Sequence, residues 1–248
     1  MKADQDVVKI EKYHLFTYRR IRRAIGYLGI SLPFLLVGLS FIPFFKTQLQ
    51  PSISNYYYTN LREIFTGTLF GVGLFLICYR GLGNRSFWKN DNLLTNIAGV
   101  VAFGVALFPM NSNDFTNKIY TLIPYPEKYL GWLHYAFAAL LFLIMALLSI
   151  NVFTLGQHNE TRDPKSILNE NNIYRFCGYS IIIFVIMVPV SEILKISTYS
   201  TLIFESLSLF AFGIAWLIKG RALGDKGIIG KKIYQENNPV DTEKIFEE

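Results

Sequence analysis

The chain has 248 residues, 52% hydrophobic and 16% aromatic but only 17% charged, where a water-soluble domain carries about a quarter. That balance excludes an ordinary soluble domain and points to a membrane, and the net charge of +6 then needs no nucleic acid to explain it. Cys78 and Cys177 lack paired C-x-x-C spacing, which excludes a cysteine zinc site; both fall near cytoplasmic helix ends and are expected to be free thiols.

A helix needs about 20 mostly apolar residues to cross the hydrocarbon core. Six runs offer that length, roughly 24–45, 64–82, 93–110, 130–155, 174–194 and 201–218. The expected fold is all-α, a polytopic transmembrane bundle of six helices over 24–220, with a basic segment at 1–23 and a polar tail at 221–248. The first run lies too far from the start for a cleaved signal peptide and reads as a retained helix. Alternate segments outside the runs hold 19 and 5 of the 24 Lys and Arg. Because Lys and Arg stay on the cytoplasmic side, both termini are expected to be cytoplasmic, in the inner membrane of a cell.

In chain order, the basic stretch YRRIRR at 18–23 reads as a topology signal at the headgroup level. After the first run comes SISNYYYTNLRE, 52–63, on the outer side. Its three tyrosines suit an aromatic belt at the interface; Arg62 and Glu63 at the mouth of the next helix do not follow from a belt. Pairing of Arg62 with Glu205 or with an anionic headgroup would account for them. Within the second run, Gly67 and Gly71 form a GxxxG that permits close helix contact, on the side shared by Glu63 and Phe70. At its inner end stand Tyr79, Arg80 and Gly81, and Asp91 is expected to pair with Arg80 or Arg175. Arg80, Asp91, Arg175 and Lys219 thus form a structural inner cluster. Ala98 and Ala102 repeat the small-residue logic in the third run, which ends on NSND at 111–114.

His134 enters the fourth run from outside. The other histidines, His14 and His158, are cytoplasmic, so a three-histidine zinc site is excluded. A mixed site of His134, Glu63 and Glu205 is weakly signalled, and no metal and no cofactor is expected. The polar connector 156–172 leads to the fifth run; Pro33, Pro109 and Pro189 are read as interrupting helices. In the sixth run, Glu205, Ser208, Phe212, Trp216 and Lys219 fall within an arc of about 80° at about 100° per residue. That arc is the expected inward face, since a carboxylate at this depth needs a partner or a task.

The set SISNYYYTNLREIF, FLICYRG, AGVVAFGVALFP, IYRFCG and FESLSLFAFGIAWLIKG, with an inward His134, resembles a group of small bacterial six-helix membrane proteins. That group carries a domain-of-unknown-function label and is distantly similar to the DRAM/Sfk-type membrane proteins. The resemblance covers nearly all of 24–220 and implies a six-helix bundle without an activity. It marks Ser52, Ser54, Tyr57, Arg62, Tyr79, Arg80, Gly81, His134, Glu205, Trp216, Lys219 and Gly220.

Ser52, Ser54, Tyr57, Arg62, Glu63, His134 and Glu205 are accordingly the candidate ligand residues of an outward-facing polar pocket for a lipid headgroup or small amphiphile. A membrane-embedded lipid hydrolase or transferase is the alternative, with Ser52 or Ser54, His134 and Glu205 drawn as a Ser-His-carboxylate set without a spacing rule to support it. A small transporter ranks lower, because the ionisable residues lie near helix ends rather than at the midplane; a structural subunit leaves Glu205 without a mate unless a partner helix or a second copy supplies one. Membrane lipids are the expected partners.

Overall fold

The computed structural model describes residues 2–81, 86–111, 122, 128–155, 168–224 and 228–234. Among these there are helices and turns but no strand. The helices are α1 (Lys2–Ser40), α2 (Arg62–Cys78), α3 (Asp91–Leu107), α4 (Lys128–Leu147), α5 (Glu170–Ile193), α6 (Ser200–Lys219) and the short α7 (Ile228–Tyr234). A π turn, Leu148–Val152, prolongs α4.

Four helical stretches are long and apolar enough to cross a membrane: His14–Ser40 within α1, Gly131–Val152 across α4 and its π turn, α5 and α6. α2 and α3 have 17 residues each, about 25 Å at 1.5 Å per residue, against a hydrocarbon core of about 30 Å. α1 begins far before the apolar run at 24–45, because hydropathy marks the portion that is apolar and not the helix that continues through polar residues. Pro33 and Pro189 do lie inside helices, α1 and α5; Pro109 follows the end of α3 instead. Within the polar tail at 221–248, α7 buries Ile233 and Tyr234.

The six long helices close into a ring in which each packs on its chain neighbours and α6 returns to α1. Three crossings repeat one device. A Cβ on Gly73 of α2 would lie 2.9 Å from the Gly99 carbonyl oxygen of α3, and one on Gly99 would lie 2.7 Å from that of Gly73. Gly26 of α1 and Gly213 of α6 face each other in the same reciprocal way, at 2.9 and 2.7 Å. Gly178 of α5 lies over the Ala146 carbonyl of α4, where a Cβ would stand at 3.0 Å. Backbones approach this closely only where no side chain intervenes. The GxxxG of Gly67 and Gly71 plays no such part: Gly67 faces open space, on the exposed arc with Glu63 and Phe70.

The ring is filled, as the arc from Glu205 to Lys219 implied, by Ser208, Phe212 and Trp216, each at most 1% exposed. Phe153 and Tyr79 stand edge-on to the Trp216 ring, and Ala98 and Ala102 are fully buried.

Candidate functional site

The segment between α1 and α2 folds into a lid over one end of the ring. Ser52 starts it, its hydroxyl donating to Asn55 Oδ1 at 2.5 Å and accepting from Asn55 N–H at 3.0 Å. Such local hydroxyl and amide bonds favour a turn over a regular helix. A 3₁₀ turn, Ser54–Tyr58, follows.

This turn answers what three consecutive tyrosines do. With three residues per turn, successive side chains leave about 120° apart, so each ring reaches a different helix. The Tyr56 hydroxyl lies 2.8 Å from Ser40 Oγ at the end of α1. Ser40 already donates to the Leu36 carbonyl, so Tyr56 is the donor. The Tyr57 ring lies 4.3 Å beneath the Arg62 guanidinium, and its oxygen accepts from Arg62 Nη2 at 3.0 Å at the start of α2. The Tyr58 hydroxyl donates to the Met110 carbonyl just past α3. Burial pushes the Tyr57 phenol up against the opposing pull of Arg62, and Tyr58, buried beside Tyr57 and Tyr135, is pushed up to about 12. Both phenols keep their proton at neutral pH.

The remaining lid contacts run to α4 and α6. His134 is 1% exposed; its Nδ1 lies 2.7 Å from the Phe108 carbonyl and its Nε2 2.9 Å from Ser54 Oγ. A carbonyl only accepts, so in the neutral ring Nδ1 carries the proton and Nε2 accepts from the Ser54 hydroxyl. On α6, Glu205 Oε2 accepts from the Ile53 N–H at 2.6 Å, with the Ser54 N–H beside it. One turn earlier the Leu202 N–H donates to the Pro51 carbonyl at 2.9 Å. Lid backbone and side chains therefore tie α6, α4, the end of α3, α2 and α1 together.

Beneath the lid lies a cavity of ≈ 50 Å³, room for about two waters. Its wall is apolar, formed by residues such as Leu32, Leu69, Leu141, Met145 and Phe212, while Ser54 and Glu205 line it and Thr68 adds a hydroxyl.

The structure thus brings Ser52, Ser54, Tyr57, Arg62, His134 and Glu205 into one assembly. Glu63 is excluded from it: one residue on from Arg62 is a step of about 100° round the helix, and its side chain is exposed. Of the residues expected to line an outward-facing polar pocket, Ser52, Ser54, Tyr57 and His134 are all buried and bonded to the protein. His134 and Glu205 are linked through the Ile53-Ser54 peptide rather than by a direct bond. Among the described residues no group of three His, Cys, Asp or Glu could hold a metal ion. Both cysteines are free.

At the opposite end, the inner cluster has other members than expected. Arg80 and Arg175 are exposed. The Asp91 carboxylate lies against Gly81, where a Cβ would stand only 1.5 Å from Oδ2, and Asn92 Oδ1 accepts the Gly81 N–H at 2.6 Å. Lys219 donates to the Phe153 carbonyl at 2.9 Å, between the rings of Phe153 and Tyr174. Arg22 and Arg23, part of the YRRIRR topology signal, turn inward. Arg22 donates to the Tyr79 hydroxyl at 3.0 Å, and Arg23 to the Gly220 and Arg221 carbonyls at 2.7 and 2.9 Å, where a helix C-terminus welcomes cations. Glu170, 4% exposed, accepts from the Tyr174 hydroxyl.

No family model, curated protein or solved structure matches the chain.

Proposed function

We propose that this chain is a six-helix membrane protein that binds a small amphiphile beneath the lid, its polar group at Ser54, His134 and Glu205 and its hydrocarbon part in the apolar cavity. The observation that carries this reading is the cavity itself, which is apolar except for groups gathered toward the lid. The cavity is far too small for a headgroup, so entry requires the lid to lift, breaking its hydrogen bonds and drawing Ile53, Tyr56 and Tyr57 out of the core. Six spans are supported by α2 and α3 sharing the ring and the glycine crossings of the longer helices; the lid turn before α2 and the residues Phe108 to Met110 after α3 make up the missing length. The excess of Lys and Arg at the opposite end supports a lid facing out of the cytoplasm.

Native mass spectrometry of the purified protein beside His134→Ala and Glu205→Gln tests the reading. A discrete adduct on the wild type, lost in both variants, is expected. An adduct-free wild type, or an adduct equally present in both variants, counts against it.

A second reading, a membrane-embedded hydrolase or transferase, is favoured by one observation: the tautomer of His134 aims a lone pair at the Ser54 hydroxyl, as a general base meets its nucleophile. Labelling of Ser54 by a fluorophosphonate, abolished in Ser54→Ala and His134→Ala, would support it. An unreactive Ser54 would leave binding alone.

A further inference from the structure

Away from the lid, the faces of α5 and α6 leave between them a groove of ≈ 680 Å³ on the outside of the ring. Its walls are Phe176, Cys177, Phe184, Phe210 and Ile214, with Ser180 between them. Phe176 is 73% exposed, so this is surface that faces the bilayer if the ring spans one. Toward one end of the groove, next to Asn172 and Leu168, stands Arg175, exposed.

We infer that this groove holds one anionic phospholipid, an acyl chain lying along α5 and the phosphate on Arg175. The inference rests on membrane embedding alone, not on the site beneath the lid. Three features support it. Arg175 lies within the second turn of α5, at the level where headgroups begin, and a guanidinium matches phosphate oxygens with paired donors. From Arg175 to Phe184 the helix rises about 14 Å, close to the roughly 15 Å of one leaflet's share of the hydrocarbon core. The stretch of groove wall between Arg175 and Phe184 is therefore about as deep as one leaflet.

The third feature is charge. Two copies of a membrane protein pair about an axis along the bilayer normal, so like levels face each other. A second copy would bring cation toward cation, whereas an anionic headgroup neutralises it.

Native mass spectrometry of the full chain with phosphatidylglycerol or phosphatidylcholine of matched chains, titrated in detergent, tests this. The wild type is expected to retain one phosphatidylglycerol with roughly five-fold preference, the effect of one surface cation on an anionic lipid. Arg175→Gln should erase the preference while still holding lipid. Ser180→Trp and Ile214→Trp, which fill the groove from either wall, should lose the bound lipid of both kinds while remaining monodisperse and helical. Equal headgroup preference in wild type and Arg175→Gln would overturn the inference. So would a dimer mass that Ser180→Trp and Ile214→Trp abolish, which would assign the groove to a second copy.

Discussion

The imidazole of His134 and the hydroxyl of Ser54, 80 residues apart in the chain, meet at 2.9 Å with the far ring nitrogen fixed by the Phe108 carbonyl. Three elements converge on that ring: α4 carries it, the end of α3 orients it, and the lid meets it. His134→Ala leaves a buried carbonyl and hydroxyl without partners and opens a void, so it should cost about 3 kcal/mol in reversible unfolding. Ser54→Ala removes one donor and should cost about 1 to 2 kcal/mol. If both variants unfold like the wild type, the pair does not hold the lid.

The lid tyrosines make a sharper test because their partners lie on different helices. Tyr56→Phe and Tyr58→Phe each delete one hydroxyl bond, to Ser40 and to Met110, and each should cost about 1 kcal/mol. The double variant should cost close to the sum, since the two bonds share no partner. If the lid must lift for entry, both variants should also speed ligand exchange, read by the rate at which a bound amphiphile is replaced. A slower exchange would show that the lid is not the route.

Tyr58 adds a dependence on pH. Its phenol titrates near 12 in the folded chain against 10.0 unfolded, so the folded form holds its proton more tightly. The stability this provides is fully present below pH 10 and is lost as the pH rises toward 12. Alkaline unfolding, followed by phenolate absorbance and helicity together, should begin above pH 10 in the wild type, and Tyr58→Phe should remove part of that slope. An unchanged slope would assign the alkaline transition to other groups.

Helix packing separates the glycines that sequence spacing could not. Gly73→Ala and Gly213→Ala each press a methyl group to within 3 Å of a backbone oxygen on the facing helix, and each should cost about 2 kcal/mol or more in detergent unfolding. Gly67→Ala meets nothing and should stabilise α2 by up to about 1 kcal/mol. The opposite ranking would return the close contact to the GxxxG.

These glycines show where legibility ended. Apolar length and the depth of polar residues were readable, so the helical runs, the buried arc of α6 and the meeting of Ser54, His134 and Glu205 at one end were all anticipated. A spacing of four says that two glycines share a face but not whether that face is inward; Gly67 and Gly71 share one whose N-terminal end is exposed. Neighbouring residues on a helix diverge by about 100°, which is why Arg62 joined the site and Glu63 did not. Arg22 and Arg23 were hidden by their charge, since a cation bonding the carbonyls at the end of α6 looks in sequence like one facing water. The lid was the least legible part, because a 3₁₀ turn in an aromatic run has no hydrophobic period to betray it.

Sidedness decides which compartment the lid faces, and it can be tested without knowledge of any ligand. Lys46, between α1 and the lid, and Lys89, just before α3, are both exposed and lie at opposite ends of the ring. In a background of Cys78→Ser and Cys177→Ala, a membrane-impermeant thiol reagent added to intact cells should label Lys46→Cys and spare Lys89→Cys, and permeabilisation should make both reactive. The reverse pattern would turn the lid toward the cytoplasm. Ligand entry would then be from inside the cell, and the leaflet that supplies the α5–α6 groove would change with it, since Arg175 lies at the Lys89 end. Labelling of both in intact cells would mean that α2 does not cross, which would remove the six-span ring and with it the reading of the lid as one face of a membrane protein.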